Sequence, residues 1–418
     1  MIIPSIDIMN GKAVQLVSGK DKEIERENPM AIAEEFSIYG ELAVIDLDAA
    51  MGRGENLELI QSIISKYPAR VGGGIRDIPK ARELIARGAS KIIIGTAAFK
   101  NSDINREFLK ALVQAIGKER IIIAIDTRHE KIARNGWQHS TGINPIEAVP
   151  KLESYASELL FTNIEKEGRM KGYDSMMVQQ LRKLWRGPMT IAGGISTCDE
   201  IMTLTENQLD VQLGMAIYTG KLNLNDAFIA ALNWRSTLLP VITRDRNGQV
   251  LMLAYTNREA LRKTLSQRKM CYYSRSRQKL WTKGDSSGNV QRLVRLQVDC
   301  DRDTLLATVD QQGRACHKDR YSCFEDKAFS LTTLQGIIKE RIESKQPGSY
   351  TAKLDREMVR RKINEEAYEL VTAVKRDEII WESADLLYFM TVLLSRENVD
   401  ISEVFTELRR RQKQGGKK

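Results

Sequence analysis

The chain has 418 residues, which at a typical domain size corresponds to about two to three domains. Hydrophobic residues make up 42% and charged residues 28%, so each domain can bury a core, and disorder is excluded as the main state. The net charge is +9, but the basic residues are spread along the chain and aromatic residues reach only 6%. We therefore expect small phosphorylated metabolites as partners, and no nucleic acid.

The residues after Met1 turn polar too early for a signal peptide, and no run approaches the roughly 18 apolar residues of a membrane span. We expect a cytoplasmic protein with no membrane partner. Five cysteines in so long a chain argue against a disulfide framework and favour metal binding or simple burial.

Residues 1–233 alternate short β-branched runs with amphipathic helical stretches, which predicts a (β/α)8 TIM barrel. The eight strand candidates are MIIPSID, LAVIDLD, ARVGGG, KIIIGTA, RIIIAID, LLFTNI, MTIAGG and VQLGMA.

An internal repeat supports the barrel more strongly than the strand count, because several features recur at one offset. Such a repeat indicates duplicated half-barrels with a pseudo-twofold axis. The repeated pairs, 119 or 120 positions apart, are Asp7 and Asp126, Asp48 and Glu167, Gly73-Gly74 and Gly193-Gly194, and Gly95 and Gly214.

Active sites of such barrels lie at the carboxyl ends of the strands, where the duplication places Asp7 and Asp126 across one mouth. Two facing carboxylates suit a general base and a general acid. One glycine-rich cradle in each half indicates a substrate with two phosphates. The alternative makes the glycines packing residues and the aspartates helix caps. The expected phosphate contacts are Gly73, Gly74, Gly95, Thr96, Gly193, Gly194 and Gly214.

This part of the chain resembles the ProFAR isomerase family of histidine biosynthesis. The resemblance implies an Amadori rearrangement of an aminoaldose to an aminoketose without an organic cofactor, with Asp7 as base and Asp126 as acid. It also implies that Trp137 stacks on the substrate and that Thr162 contacts it. Gln15, Glu167 and Met215 depart from the family pattern. The motifs are IIPSIDIMNGKAVQL, AVIDLDAAMGRGEN, VGGGIRD, IIIGTAA, IDTRHEKIARNGW, IAGGIS and AIYTGK.

Residues 238–328 predict a small α+β domain that begins with a hairpin around Asn247-Gly248. The run LVRLQVDCDRD alternates as a strand, which would place Asp299 and Asp301 on one face and Cys300 on the other. Carboxylates of this kind, with Asp303, suit Mg²⁺, and thiolates suit Zn²⁺.

Cys316 and Cys323 complete a C-x15-C-x6-C pattern with Cys300, and three thiolates leave one zinc position open for catalysis. The alternative is that these cysteines are small buried hydrophobic residues. His317 is interpreted as either a proton carrier or a surface residue.

The segments YYSRSRQKLWTKGDSSGNVQRL, VDCDRD and ACHKDRYSCF resemble phosphoribosyl-AMP cyclohydrolase. The resemblance implies hydrolysis of the N1–C6 bond of the adenine ring, with Cys300, Cys316 and Cys323 as zinc ligands and Asp299, Asp301 and Asp303 as magnesium ligands. It implies a zinc site shared across a dimer. The implied phosphate and ribose contacts are Ser274, Arg275, Ser276, Arg277, Lys283, Ser287 and Asn289.

Residues 331–418 lose β signals and predict an all-α domain. Glu366 and Glu369 lie three apart on one helix, and Glu382 and Asp385 repeat that spacing on the next. Four carboxylates facing each other beside an apolar stripe would bind Mg²⁺ carried by a polyphosphate, and a solvated charged face is the alternative.

The segments SYTAKL, KINEEAYELV and ESADLLYF resemble the MazG-like phosphoribosyl-ATP pyrophosphohydrolases. The resemblance implies cleavage of the α–β phosphate bond, with the four carboxylates as catalytic metal ligands and Lys362 on the substrate. We expect a homodimer formed through the cyclohydrolase and helical domains.

The three resemblances name consecutive steps, so we expect a trifunctional histidine-biosynthesis enzyme. Two alternatives remain open for the barrel. It can be a non-catalytic scaffold, which its departures from the family pattern permit, or it can also isomerise phosphoribosylanthranilate by the same chemistry.

Overall fold

The computed structural model of the chain describes residues 1–19, 21–100, 102–134, 137, 139–344 and 348–413. It divides into two compact units, Met1–Asp319 and Arg320–Lys418. The first unit contains the predicted barrel and most of the predicted middle domain, and the second contains the predicted helical domain. The three predicted domain ranges stay predictions, and residues 414–418 of the third lie outside the described residues.

The first unit begins with a closed barrel of eight parallel strands, as the sequence predicts. Each strand pairs in parallel with its neighbours, and the fourth pairs with the fifth to join the two halves. The eight strands are Ile2–Met9, Leu42–Asp46, Ala69–Gly72, Lys91–Ile94, Ile121–Arg128, Glu158–Asn163, Met189–Ala192 and Asp210–Leu213.

Helices alternate with the barrel strands, and equivalent helices of the two halves begin with similar side-chain caps. Asp77 caps one helix by accepting a hydrogen bond from the Lys80 N–H, and Thr197 caps its counterpart 120 positions later, in a capping box with Glu200. The longer barrel helices are Pro29–Phe36, Leu57–Lys66, Ile78–Ala86, Arg106–Ile116, Pro145–Leu152, Ser175–Leu184, Cys198–Glu206 and Leu224–Ala230.

Shorter elements complete the barrel domain. A hairpin follows the first strand, and another follows the fifth, so the loops at the mouth are long in both halves. The short helices are Ser37–Tyr39, Leu47–Met51, Thr96–Ala98, Lys118–Arg120 and Met215–Tyr218, and the loop strands are Lys12–Val17, Asp21–Arg26, Phe99–Lys100, Asp103–Ile104, Lys131–Arg134 and His139–Ser140.

The barrel interior is a packed core rather than a pore. Ile93, Ala124 and Leu160 belong to one buried cluster inside it. Towards the amino ends of the strands, Glu158 is buried and is held by ion pairs with Arg70 and Lys91. A buried carboxylate is tolerated there because these cations and hydrogen bonds replace its hydration.

The middle region contains a separate four-stranded sheet in which Leu239–Arg244 and Val250–Thr256 form the predicted hairpin. Asp245 stabilises the turn by accepting hydrogen bonds from the Asn247 and Gln249 N–H groups. The other strands of the sheet are Gln291–Val298 and Leu305–Gln311, a second hairpin pairs Cys271–Ser274 with Lys279–Thr282, and the helix is Arg258–Gln267.

The second unit is helical, as predicted. Ile338, Leu354, Val359, Phe389 and Val392 form its buried core. Among the described residues, no helix combines the length and the apolar character that crossing a membrane requires. The helices are Leu331–Glu343, Tyr350–Lys353, Arg356–Thr372, Arg376–Arg396 and Ile401–Lys413.

Candidate active sites

A cavity of about 210 Å³ opens at the carboxyl ends of the barrel strands, and both halves of the repeat line it. The structure brings Asp7 and Asp126 to this mouth from the first and fifth strands. Trp137 and Thr162 line the same cavity, and so do all the glycines predicted to cradle phosphate, together with Thr96. The predicted barrel residues therefore share one site, while their roles stay predictions.

The two aspartates differ in their hydrogen bonds. The Ser5 hydroxyl donates to Asp7 at 2.8 Å, and burial raises the pKa of Asp7 to about 6. The Trp137 indole N–H donates to Asp126 at 2.8 Å. Burial raises the pKa of Asp126, while the hydrogen bonds from Trp137 and Thr162 oppose that rise. The loop tryptophan thus holds the orientation of one carboxyl group.

Glu167 is a third carboxyl group at the mouth, and it lies outside the catalytic residues that the sequence predicts. Burial, followed by the charges of Asp7 and Asp126, raises its pKa to about 8. Its repeat partner Asp48 is used differently and accepts hydrogen bonds from the Asn10 N–H and the Asn56 side chain. The sequence contains one signal for Glu167: the repeat offset pairs it with Asp48, another acidic residue.

The paired glycines have a steric role as well as a binding role. Gly73 and Gly193 have φ of +98° and +90°, and a Cβ on Gly73 would lie 2.1 Å from the Asp46 carbonyl oxygen. Gln15 is buried beside this glycine-rich rim, and among the described residues its Nε2 has no hydrogen-bond partner. Gln15 also lines the mouth.

In the middle region, ligand oxygens of Asp299, Asp301 and Asp303 lie within 4.8 Å of one another. The predicted strand alternation through these residues is wrong, because the strand ends at Val298. The Asp299 carboxylate accepts hydrogen bonds from the Asp303 and Thr304 N–H groups, which bends the chain into a turn. The turn, and not one face of a strand, gathers the oxygens.

The three predicted zinc ligands have different exposures. Cys300 and Cys323 are exposed, and Cys316 is buried. The Lys318 N–H lies 3.4 Å from the Cys316 sulfur and donates to it. Among the described residues, the clusters of potential metal ligands contain carboxylates only. The thiolates suit zinc chemically, but a set of three within one chain stays a prediction.

Other predicted contacts of the middle region surround its second hairpin. The Lys283 ammonium donates to the carbonyl oxygen of Ala315, the residue before Cys316, at 2.7 Å. His317 is exposed. Ser274 and Arg277 bond to each other in the hairpin turn, and the Arg275 guanidinium lies 3.8 Å from the centre of the Tyr255 ring. The remaining predicted contacts, Ser276, Ser287 and Asn289, lie in exposed or half-exposed turns.

In the helical unit, ligand oxygens of Glu366, Glu382 and Asp385 also lie within 4.8 Å of one another. Burial, followed by the neighbouring carboxylate of Glu369, raises the pKa of Glu382. Lys362 lies 3.4 Å from Glu366. The predicted acid group is therefore assembled across two helices, with Glu369 at its edge and not within the close cluster.

The structure thus has a barrel with an acid group at its mouth, followed by two clusters of carboxylates. A barrel of this kind, with two further acidic sites in series, defines a multidomain metabolic enzyme. Family models match in order: Histidine biosynthesis protein over residues 1–223, Phosphoribosyl-AMP cyclohydrolase over 252–325 and Phosphoribosyl-ATP pyrophosphohydrolase over 331–412. The chain belongs to the histidine biosynthesis protein family, and its three regions are of the ProFAR isomerase, cyclohydrolase and pyrophosphohydrolase kinds.

Individual relatives match either the barrel part of the chain or the two parts that follow it, as the family models do. The 1-(5-phosphoribosyl)-5-((5-phosphoribosylamino)methylideneamino) imidazole-4-carboxamide isomerase of Methanosphaera stadtmanae is 37% identical over 54% of this chain and 98% of its own length. The histidine biosynthesis bifunctional protein HisIE of Pyrococcus furiosus is 44% identical over 45% of this chain and 99% of its own length. That of Aquifex aeolicus is 45% identical over 42% of this chain.

Proposed function

We propose that the chain catalyses three consecutive steps. The helical unit hydrolyses phosphoribosyl-ATP to phosphoribosyl-AMP and pyrophosphate, the middle region opens the adenine ring, and the barrel isomerises the resulting aminoaldose. The observation that carries the barrel step is the pair of half-buried carboxyl groups, Asp7 and Asp126, with raised pKa at one mouth and a glycine turn from each half.

The barrel chemistry needs a proton donor at the ribose ring oxygen and a base at C2. Asp7, with a pKa of about 6, is mostly ionised at pH 7 and suits the base. Asp126 has a raised pKa and is oriented by Trp137, which suits the donor. Ring opening gives an imine, removal of the C2 proton gives an enol, and reprotonation gives the aminoketose.

The carboxyl groups at the barrel mouth argue against the alternative in which the barrel is only a scaffold, because placing them there destabilises the fold. Burying three carboxyl groups near one another destabilises a fold, since each charged form loses hydration and repels the others. Such strained groups are common at catalytic sites and rare where a surface only docks a partner.

The carboxylate turn of the middle region supports magnesium binding. Asp299, Asp301 and Asp303 supply hard oxygen ligands at close range, which fits Mg²⁺. Zinc held by Cys300, Cys316 and Cys323 would supply an activated water for attack on the ring. Lys283 and the Ser274–Arg277 turn would bind the phosphates of the substrate, and His317 would carry a proton.

The helical unit supports binding of a second magnesium. Glu366, Glu382 and Asp385 are acidic groups that a divalent cation would neutralise, with Glu369 at the edge. Magnesium would supply charge neutralisation of the polyphosphate there. Lys362 would bind the phosphate, since its ammonium already lies beside this cluster.

The helical unit also supports a homodimer. Val371, Val374 and Trp381 expose 83%, 87% and 71% of their surface. Val371 and Trp381 lie on consecutive helices, and Val374 lies in the connection between them. Apolar side chains exposed in such number favour an interface with a second copy. The cyclohydrolase region would contribute a further interface if its zinc ligands come from two chains.

The test of the proposed function is to supply the purified protein with phosphoribosyl-ATP, Mg²⁺ and Zn²⁺ and to identify products by mass spectrometry. We expect pyrophosphate, phosphoribosyl-AMP, the ring-opened aminoaldose and finally the aminoketose. A wild-type protein that stops at the aminoaldose would leave the barrel as a scaffold.

A further inference from the structure

A second cavity, of about 940 Å³, lies at the opposite end of the barrel from its mouth. Met1 and Asp210 line it from the amino ends of the first and eighth strands. Asp299, Cys300 and Asp301 line it from the middle region, so the turn predicted to bind metal faces the base of the barrel. A volume near 1,000 Å³ is at the upper end for small-molecule sites.

The metal-type turn is fixed to the barrel by hydrogen bonds. The Arg302 guanidinium donates to the Thr205 and Leu209 carbonyl oxygens and pairs with Asp210. The Asn233 N–H donates to the Arg302 carbonyl oxygen at 2.8 Å, and its side chain donates to the Asp301 carbonyl oxygen at 3.1 Å. The barrel therefore determines where Asp299 and Asp301 lie.

The cavity is rich in positive charge. Asp210 is paired with the amino terminus and with Arg302. Within the described part of the chain, none of the other four lining arginines forms an ion pair with a carboxylate. These four are Arg182 and Arg186 of the barrel, Arg235 of the linker and Arg258 of the middle region.

The remaining lining carboxylates are Glu206, Asp299 and Asp301. A divalent cation on the two aspartates would neutralise them and leave the arginines in excess. Guanidinium groups in excess beside a cation site favour a phosphate ester, because each can donate charge-assisted hydrogen bonds to its oxygens.

We propose that this cavity binds a phosphate of the substrate whose ring the middle region opens, and that Arg186 of the barrel and Arg235 of the linker supply part of its phosphate site. This inference rests on the proposed function. Under it the barrel has two roles, one at each end: it isomerises at its mouth and completes the neighbouring site with its base. The Ser274–Arg277 turn then serves the other phosphate of the same substrate.

The test compares Arg186→Gln and Arg235→Gln with a matched control. Arg82→Gln removes the same charge from an exposed barrel helix that does not line the cavity. Arg182 is left unchanged because it also donates to the Trp185 and Gly187 carbonyl oxygens and so stabilises the chain locally.

Binding of phosphoribosyl-AMP is measured by calorimetry on the full chain with Mg²⁺ present and zinc removed, so that no turnover occurs. We expect about a tenfold weaker Kd for each cavity variant and an unchanged Kd for Arg82→Gln. Ring opening, measured after zinc is restored, should show a similar rise in KM, with pyrophosphate release and isomerisation unchanged.

The two proposals fail in different ways. Ring opening by the wild type with an unchanged Kd in both cavity variants would overturn the phosphate site alone. Binding that weakens in the variants, without ring opening by the wild type, would overturn the proposed function and keep the phosphate site. Absence of both binding and ring opening in the wild type would overturn both proposals.

Discussion

The three carboxyl groups at the barrel mouth have different environments, although two of them stem from a duplication. Asp7 is bonded by a hydroxyl, Asp126 by an indole N–H, and Glu167 has the charges of both as neighbours. Different environments allow one group to be ionised while another keeps its proton near pH 7. The two half-barrels therefore place their equivalent aspartates in unlike environments, as the proposed acid and base require.

Replacing Asp7 by Asn removes the base and keeps the size of the side chain. We expect isomerisation to fall by at least a hundredfold, since a placed base contributes about 10²–10⁴ in rate. The aminoaldose should then accumulate from phosphoribosyl-ATP. The control is internal, because the two hydrolytic activities of the same variant should be unchanged. Equal loss of all three would indicate misfolding, and retained isomerisation would refute the assignment.

Glu167 makes stability depend on pH. Its pKa is about 8 in the fold, above the usual value for glutamate of 4.5, so the folded state binds a proton that the unfolded state releases. Stability from this group is complete below pH 4.5 and is lost as pH rises through 8. Glu167→Gln should therefore match the wild type near pH 4.5 and unfold with a free energy roughly 1–3 kcal/mol higher at pH 9.

The measurement for Glu167→Gln is urea unfolding of the full chain at several pH values. Glu153→Gln, on an exposed glutamate of the barrel, is the matched control and should show no such trend. A constant difference between Glu167→Gln and the wild type across this range would contradict the raised pKa.

Among elements, the barrel strands and helices follow from local patterns. Alternating β-branched runs and capped amphipathic helices predict eight strands, and all eight form. Alternation does not predict the turn after Val298, because the hydrogen bonds that the Asp299 carboxylate accepts override the strand propensity of its neighbours. Local periodicity contains no information about such competition.

The same limit applies to the acid clusters. The i, i+3 spacing predicts which carboxylates share a helix face, but the approach of two helices decides which of them meet. Glu366 joins Glu382 and Asp385, whereas Glu369, one turn further, stays exposed. Glu167 is a similar case, since its raised pKa depends on its approach to Asp7 and Asp126, which lie far from it in sequence.

Glu366→Gln tests the two-helix cluster. Removing one charge while keeping the shape should weaken magnesium binding and lower pyrophosphate release by about two orders of magnitude or more. Glu365→Gln is the matched control, because Glu365 is exposed and also pairs with Lys362 but lies outside the cluster. Added phosphoribosyl-AMP should still be opened by both variants. Undiminished release in Glu366→Gln would return this acid to a solvated helix face.

At the scale of the whole molecule, the first unit joins the barrel and the middle region through Arg302 and Asn233. The predicted boundary between them falls at residues 233–238, where the barrel ends, but the two regions form one compact unit. Composition and periodicity detect a change of architecture at this position. They do not detect hydrogen bonds that join residues almost 100 positions apart.

The barrel wall has a consequence for how intermediates move. Met1, just before the first strand, lines the cavity at the base, and Asp7 of that strand lines the mouth. Six positions of extended chain separate them, or about 20 Å at roughly 3.3 Å per residue. Among the described residues, buried side chains such as Ile93, Ala124 and Leu160 fill the barrel interior. If the middle region opens the ring at this base, as proposed, its product has to leave the base cavity and pass outside the barrel to reach the mouth. We therefore expect the product to mix with the external pool.

Isotope dilution measures this mixing. Radiolabelled phosphoribosyl-AMP is converted in the presence of excess unlabelled aminoaldose, and the aminoketose is collected early in the reaction. We expect the specific radioactivity of the aminoketose to fall in proportion to the added aminoaldose, as it would for a mixture of two unlinked enzymes. Aminoketose that kept the full specific radioactivity of the starting material would mean that the intermediate never leaves the protein. On this view, fusion keeps the two activities in equal amounts, but it does not pass the intermediate directly from one site to the other.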